Sequence, residues 1–252
     1  MLHAVADRTT ASSPAARSAF DAQVVQPRAG RPTLMLQGLA RTFPSGATIY
    51  AQEDAAEFVY QMASGMVRTA TLRPDGRRIV HGFHLGGEIF GLEREAVHHC
   101  AAEAVSETCL VQCPHSRIEK AAGDNAEMAE ELRFWLLLSR DKTAERSAHL
   151  MYGSAFEKLA YFLIDLAWRT RSQGSFELPM SRYDIADYLG LASETVSRTF
   201  SAFRNRGLIA TRGRLVTLLD GRLQRISAGS AGAGAERPPH WPRTFPQEST
   251  GP

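Results

Sequence analysis

The stretch MSRYDIADYLGLASETVSRTFSAFRNRGLI, residues 180–209, predicts two short helices separated by a tight turn at Gly190. Ser181 is a residue type that caps helix N-termini, and Gly190 is placed to end the first helix in the left-handed conformation. Ser193 is expected to cap the second helix. The buried side of that helix would then carry Val196, Phe200, Phe203 and Leu208. This order of helix, glycine turn and helix is that of a helix-turn-helix, whose second helix enters the major groove of DNA.

The residues that follow, GLIATRGRLVTLL at 207–219, predict a β-hairpin wing beside the two helices. Within the second helix, Glu194, Ser197 and Arg198 would share one face, because side chains three and four positions apart are neighbours. Arginine pairs bidentately with guanine, and glutamate accepts a hydrogen bond from cytosine. The alternative is a solvated helix with an internal Glu–Arg pair worth only about 0.2–0.5 kcal/mol. We favour base reading, because a carboxylate near phosphates would otherwise be repelled.

The charge of this region also indicates nucleic acid. Between Ser181 and Arg225 we count eight arginines against four acidic residues, a difference of +4, although the whole chain carries only +2. Guanidinium groups donate in a fork that matches phosphate oxygens. The alternative is a soluble arginine-rich segment. The candidate contacts to the DNA backbone are Ser181, Arg182, Ser193, Thr195, Arg204, Arg206, Arg212 and Arg214.

The part of the chain from Leu39 to about Arg117 alternates apolar and polar residues in short runs broken by turn signals. The sequence RPDG at 73–76 predicts a hairpin turn, since Asp-Gly supplies the positive φ that a tight turn needs. Several short strands joined in this way predict an antiparallel sandwich or barrel.

The following segment has no proline or glycine between residues 127 and 152 and predicts a long helix. Residues at alternating spacings of four and three form a partly apolar stripe, typical of a coiled-coil seam. The alternative is a helix that packs on its own domain. The candidate dimer interface is Leu132, Leu136, Ser139, Thr143, Arg146 and Leu150.

The order of strands, long helix, helix-turn-helix and wing resembles the CRP/FNR superfamily of bacterial transcription regulators, over about Leu39 to Arg225. The sequence ETVSR at 194–198 is similar to the FNR/FixK branch, and Ser197 distinguishes it from the CRP branch, which has glycine there. The resemblance implies an α+β fold: an N-terminal antiparallel β-roll like that of cyclic-nucleotide-binding proteins, a long dimerisation helix and a C-terminal winged helix-turn-helix.

What the resemblance implies for function is a homodimer that binds double-stranded DNA at a palindrome such as TTGAT-N4-ATCAA and contacts RNA polymerase. The resemblance further implies that the protein activates transcription and that its target genes serve low-oxygen or nitrogen-fixation physiology. We find no nucleophile–base cluster and no phosphate-binding glycine loop, so we do not expect an enzyme.

The CRP branch binds cyclic AMP through a Gly-Glu and a later Arg-Ser pair. Gly87 and Glu88 fit the first part, but His99, Cys100 and Ala101 stand at the second, so we expect no cyclic nucleotide. No cysteine precedes Cys100, which excludes the N-terminal cysteines of an iron–sulfur cluster. Cys109 and Cys113 would lie roughly 13 Å apart on a strand, too far for one metal, and are interpreted as core residues.

We therefore expect neither a cofactor nor a metal. The open alternative is a ligand-gated sensor that binds haem or a small molecule, because the chain carries His81, His84, His98, His99 and His115 in this region. Adjacent histidines on a strand point to opposite faces, which weakens the haem alternative for His98 and His99. Cys100 is a candidate redox-sensitive thiol.

The composition is that of an ordinary globular protein, with 44% hydrophobic and 22% charged residues. No apolar run approaches the roughly 20 residues that span a bilayer, and the N-terminus lacks a signal-peptide core. We expect a cytoplasmic bacterial protein that is associated with the nucleoid when bound. The predicted divisions are a disordered tail at 1–32, the β-roll at 33–117, the dimerisation helix at 118–152, the DNA-binding domain at 153–226 and a second disordered tail at 227–252.

Overall fold

The computed structural model describes residues 38–93, 96–172, 174–221 and 223, without the side chains of Glu145 and Tyr152. The two predicted tails, 1–32 and 227–252, lie outside these residues, as do Arg222 and Arg225. Among the described residues no helix has the length and apolar character needed to cross a membrane.

The first half of the chain forms two antiparallel four-stranded sheets, in the orders β1-β8-β3-β6 and β2-β7-β4-β5. An aromatic and aliphatic core that includes Tyr50, Tyr60, Met62 and Phe90 lies between them. The strands are β1 (Leu39–Phe43), β2 (Thr48–Tyr50), β3 (Phe58–Ser64), β4 (Met66–Leu72), β5 (Arg78–Leu85), β6 (Ile89–Phe90), β7 (Ala101–Ala104) and β8 (Thr108–Pro114). We refer to this unit as the roll.

The predicted hairpin turn at 73–76 joins β4 to β5. The pairing runs from Met66 opposite Leu85 to Leu72 opposite Arg78, and Gly76 has a φ of 80°. The turn prediction is confirmed, because glycine supplies the left-handed backbone conformation at its end.

The predicted single helix over 118–152 is wrong at its N-terminal end. The segment forms α1 (His115–Asp124) and α2 (Ala126–Tyr152), divided at Asn125. Asn125 is extended, with φ −139° and ψ 114°, and its side chain accepts hydrogen bonds from the backbone N–H groups of Glu127 and Met128. Asparagine is among the best N-cap residues, so a new helix begins there. Ile118 of α1 and Met128 of α2 pack on the outer face of the first sheet.

The C-terminal unit contains α3 (Ala155–Arg169), β9 (Ser175–Glu177), α4 (Arg182–Leu189), α5 (Ser193–Asn205), β10 (Ile209–Arg212) and β11 (Leu215–Leu218). The strands form a sheet of order β10-β11-β9. One apolar core joins this unit to the outer face of β4 and β5, through residues such as Phe83, Phe162 and Tyr188. The predicted α+β architecture of roll, long helix and winged helix-turn-helix is confirmed.

Candidate nucleic-acid interface

The first helix of the motif, α4, forms as predicted between Ser181 and Gly190. The Ser181 hydroxyl accepts from the backbone N–H of Asp184, and the Asp184 carboxylate accepts from the backbone N–H of Ser181, which is a reciprocal capping box. Gly190 has φ 62° and ψ 40°, the left-handed C-cap conformation. Ile185, Ala186 and Leu189 are buried on the inner side of the helix.

The second helix, α5, begins one residue earlier than predicted, because its N-cap is Ala192 and not Ser193. Ala192 is the N-cap and makes no side-chain cap, whereas Ser193 is already helical. The Ser193 hydroxyl donates instead to the Glu194 carboxylate at 3.1 Å. Ser193 is therefore not the capping residue, because Ala192 already holds the extended conformation that the cap position requires. Val196, Phe200 and Phe203 are buried, as predicted.

The three residues assigned to base reading, Glu194, Ser197 and Arg198, are all exposed on the first two turns of α5. A hydrogen bond from its own backbone N–H and one from Ser193 lower the pKa of Glu194, so its carboxylate is charged. Arg198 donates to the Thr195 hydroxyl at 3.4 Å. Glu194 and Arg198 thus have separate hydrogen-bond partners and form no salt bridge in the described helix, although the charge of Arg198 also lowers the pKa of Glu194. The face presents an acceptor and a donor that are both free to turn outward.

Arginines surround this face from both sides. Arg182, at the start of α4, is half-buried, with its guanidinium carbon 3.3 Å from the ring centroid of Phe200. Arg204 donates to Ser201 at 2.9 Å and to Thr211 of β10 at 3.5 Å, which ties α5 to the wing. The guanidinium carbon of Arg206 lies 4.5 Å from the ring centroid of Phe156. Arg212 and Arg214 are exposed on either side of Gly213, at the tip of the wing.

The predicted dimer stripe on α2 is divided between two environments. Leu132 packs beside α1, Leu150 packs on the C-terminal core, and Arg146 donates to the backbone carbonyls of Val80, His81 and Tyr188 of its own chain. Leu136, Ser139 and Thr143 are exposed. Among the described apolar side chains of α2, the most exposed are Met151 at 71%, Phe134 at 53%, Leu137 at 47% and Leu136 at 46%, and only Leu136 belongs to the predicted stripe.

Comparisons with known proteins agree with this arrangement. A model of the Crp-like helix-turn-helix domain matches residues 157–225, and a model of the cyclic nucleotide-binding domain matches residues 40–125. The nitrogen fixation regulation protein FixK of Rhizobium meliloti strain 1021 is 42% identical over 177 residues, which cover 69% of this chain and 79% of that protein. The transcriptional activator protein Anr of Pseudomonas protegens is 34% identical over 71% of this chain and 76% of its own length.

Among solved structures, FixK2 from Bradyrhizobium japonicum superimposes with a TM-score of 0.73 and 36% identity, over 76% of this chain and 98% of that one. This chain belongs to the CRP/FNR family. It is a FixK-like DNA-binding transcription regulator and not an enzyme. The resemblance predicted from ETVSR and the order of elements is confirmed.

The match to a cyclic nucleotide-binding domain raises the question whether this CRP/FNR chain has the residues to hold such a ligand. Glu88, predicted to fit the first part of the site, accepts from Lys142 at 2.7 Å and from Arg169 at 2.8 Å. These two cations lower the pKa of Glu88 despite its burial. Positions 99–101 provide no guanidinium for a phosphate. The residues therefore do not fit a cyclic nucleotide bound in the way the resemblance implies.

His81, His84 and His115 make hydrogen-bond contacts within the chain, whereas the two buried ring nitrogens of His98 have no hydrogen-bond partner among the described residues. His98 is only 1% exposed, stacks on Tyr50 with ring centroids 3.6 Å apart, and has Nδ1 3.2 Å from the Glu93 carboxylate. His84 contacts the Thr69 hydroxyl at 3.1 Å, and His81 contacts Thr71 at 2.7 Å. His115 lies 3.0 Å from the Gly91 carbonyl. Among the described residues no three His, Cys, Asp or Glu side chains are arranged to hold a metal.

The predicted redox role of Cys100 is disfavoured by its surroundings. Cys100 is only partly exposed, and burial raises the pKa of its thiol to about 11. The thiolate is the reactive form, so a thiol that stays protonated at neutral pH is a poor sensor. Cys113 is buried, as expected for a core residue, whereas Cys109 is half-buried.

Sequence reasoning missed three features. These are the ion pairs of Glu88, the pairs that join Arg68 and Arg78 to α4, and the exposed Phe134 and Leu137. The first two lie far apart in the sequence and leave no local pattern. Phe134 and Leu137 do leave one, because alternating spacings of three and four continue from them through Asp141 to Ala144, Ala148 and Met151.

Proposed function

We propose that this regulator acts as a homodimer that reads a TTGAT-N4-ATCAA-like palindrome and activates transcription without a cyclic nucleotide or iron–sulfur cluster. The recognition helix α5 would enter the major groove, with its N-terminal residues towards the base edges. Arg198 and Glu194 would read a G·C pair, and Ser197 would contact a neighbouring base or a thymine methyl group.

The observation that carries this proposal is the exposure of Glu194, Ser197 and Arg198 together, with Glu194 and Arg198 not paired to each other. An internal pair would have satisfied both groups and left the face inert. Instead, Glu194 accepts a hydrogen bond from the Ser193 hydroxyl, and Arg198 donates one to the Thr195 hydroxyl. DNA bases can replace these hydroxyl partners at a small cost in free energy.

The backbone contacts would come from both ends of the motif. Burial lowers the pKa of Arg182, and the nearby positive charge of Arg204 lowers it further. An anion placed beside the two arginines would relieve this repulsion. Arg206, Arg212 and Arg214 are exposed and extend the basic surface to the wing. Ser181, Ser193 and Thr195 stand at the N-terminal ends of α4 and α5, where backbone N–H groups favour a phosphate.

The dimer would form along the exposed face of α2. Phe134, Leu137, Ala144, Ala148 and Met151 follow a seven-residue repeat, with Asp141 as the one polar position between them. Such a repeat is typical of helices that pair along a left-handed coiled coil. This face replaces the predicted stripe as the centre of the seam, because Leu132, Arg146 and Leu150 are occupied within the chain; Leu136, Ser139 and Thr143 would lie at its edge.

The pairing of Glu88 with Lys142 and Arg169 supports control without a cyclic nucleotide. Family membership supports contact with RNA polymerase, activation and location at the nucleoid when bound. The names of the FixK relatives suggest genes of nitrogen fixation as targets.

DNA binding by the purified protein in air, without added metal, tests the proposal. The probes are the TTGAT-N4-ATCAA duplex and the same duplex with each G·C pair inverted, at one salt concentration. We expect tight binding that weakens at least tenfold on inversion, since a mismatched pair typically costs about 1–3 kcal/mol. Equal affinity for both probes would contradict base reading. Binding that appears only with haem or another small molecule would favour a ligand-gated sensor.

A further inference from the structure

Five alternating charges connect the roll to the helix-turn-helix. Arg68 of β4 donates through Nε to Glu103 of β7 at 2.8 Å and through Nη1 to Asp184 of α4 at 2.9 Å. Arg78 of β5 donates to the same Asp184 carboxylate at 2.6 Å and through Nε to Asp187 at 2.8 Å. We call this set, Glu103, Arg68, Asp184, Arg78 and Asp187, the roll–helix ladder.

Asp184 gives the ladder its connection to the recognition helix. Its side chain is only 5% exposed, and it also caps α4 together with Ser181. One carboxylate therefore fixes the start of α4 and binds that start to two strands of the roll. Helix α4 in turn packs on α5, where Arg182 stacks on Phe200. The orientation of α5 relative to the roll thus depends on Asp184, together with Arg146, which links the carbonyls of β5 to that of Tyr188 in α4.

The apolar contacts of the same interface do not set an orientation by themselves. Phe83 of the roll packs against Phe162 of α3 and Tyr188 of α4, with ring centroids 6.0 and 5.3 Å apart. Apolar burial is non-directional, so these rings hold the units together but permit small rotations. Guanidinium–carboxylate pairs with two or more N–H donors are directional and fix the angle between the partners.

We propose that the roll–helix ladder is a positioning element: it holds the recognition helix in the DNA-binding orientation before DNA arrives. This rests on the proposed dimer and palindrome. When one half-site is bound, the second recognition helix meets its half-site at an effective concentration that depends on geometry. A ladder that fixes this geometry raises affinity for the complete palindrome and leaves affinity for a single half-site unchanged. It would also take the place of a ligand that orients the helices.

Replacing Arg78 by methionine tests the proposal, because Arg78 contacts both acidic residues of α4. The matched control is Arg77→Met, since Arg77 is 77% exposed and pairs with Asp75 inside the hairpin turn. We measure affinity for the full palindrome and for a duplex with one half-site. Arg78→Met should lose tenfold or more on the palindrome and less than twofold on the half-site, with no change in Arg77→Met. Equal losses on both duplexes, or none, would overturn the positioning role.

Hydrogen exchange in the DNA-free protein gives a second readout. Amides of α4 should exchange faster in Arg78→Met than in Arg77→Met, whereas equal rates would show that the ladder does not hold α4. This result stands even if the wild-type protein proves not to prefer the palindrome, which would contradict the proposed function alone. If Arg78→Met fails to fold, Asp187→Ala removes only the Arg78–Asp187 pair of the ladder, and the same outcomes decide.

Discussion

The guanidinium carbon of Arg182 lies 3.3 Å from the ring centroid of Phe200, so the first residue of α4 is clamped to the middle of the recognition helix. The contact holds the arginine stem, while burial and the nearby Arg204 lower the pKa of Arg182 to about 10. A positive charge held in this way at neutral pH has lost part of its hydration. The Arg182 guanidinium therefore has less hydration to lose when it binds an anion.

We expect Arg182→Met to weaken binding to all DNA sequences alike, because methionine keeps an apolar stem over Phe200 but removes one phosphate partner. The slope of log affinity against log salt should fall by about 0.9. Titrations at several salt concentrations, with Arg77→Met as the control, provide the check. A change in the preference for the palindrome over its G·C-inverted form would instead make Arg182 a base-reading residue.

Arg198→Ala should behave in the opposite way. Loss of a bidentate contact to guanine would cost about 1–3 kcal/mol on the palindrome and much less on the G·C-inverted duplex. Arg212→Ala is the comparison, since Arg212 is exposed on the wing and is assigned to the backbone. If both variants lost affinity equally on both duplexes, Arg198 would be a phosphate contact.

His84 should make the protein less stable in mild acid. Burial, opposed by Glu88 and reinforced by Arg169 and Lys142, lowers the pKa of His84 to about 4 from 6.5. As the pH falls from 6.5 to 4, His84 becomes protonated in the unfolded chain but stays neutral in the folded chain. The free energy of unfolding should then fall by up to about 3 kcal/mol. Protonation of Glu88, whose pKa is also lowered, acts in the same direction below about pH 4.5.

Urea denaturation at pH 7, 6 and 5 measures this dependence. His84→Gln retains a partner for the Thr69 hydroxyl but cannot titrate, so its stability should change less over this range. A His84→Gln variant with the wild-type pH dependence would show that another group is responsible.

Local signals in the sequence predicted the parts of the fold that local interactions decide. Ser181, Gly190 and the Asp75-Gly76 turn each act within a few residues, and each was predicted with its role. Asn125 carries an equally local N-cap signal, which explains the break between α1 and α2 that a single predicted helix lacks. Ser193 was assigned as a cap because of its residue type, although the backbone conformation of Ala192 decides that position.

Local sequence patterns do not reveal contacts between residues that are distant in the chain. Arg68 and Asp184 are 116 residues apart, and no pattern in a single sequence links them. The same holds for Glu88 and Arg169, 81 residues apart, so the sequence shows only that Glu88 fits the Gly-Glu part of a cyclic AMP motif and does not predict its ion pair. The shared exposed face of Glu194, Ser197 and Arg198 was predictable because α5 is short and regular, so helical spacing alone places its side chains.

Leu137→Asp should convert the proposed dimer to a monomer of 27.7 kDa, because a carboxylate would be buried in the seam on both chains. Leu72→Asp is the matched control, since Leu72 is 64% exposed at the end of β4. Sedimentation equilibrium and binding to the full palindrome are the measurements. A Leu137→Asp protein that remained dimeric would place the interface on another surface.

Gly190→Ala should destabilise the protein through its backbone alone. The φ of Gly190 is 62°, and no heavy atom lies within 4 Å of an added Cβ, so only the left-handed conformation is penalised, by about 1–2 kcal/mol. Gly190→Asn should cost less, because asparagine tolerates that conformation better. Gly123→Ala is the opposite case: Gly123 lies in α1, its added Cβ also meets nothing, and alanine there should stabilise by up to about 1 kcal/mol. Urea denaturation of the three variants compares them directly. A neutral Gly190→Ala would show that the turn between α4 and α5 adapts without the left-handed residue.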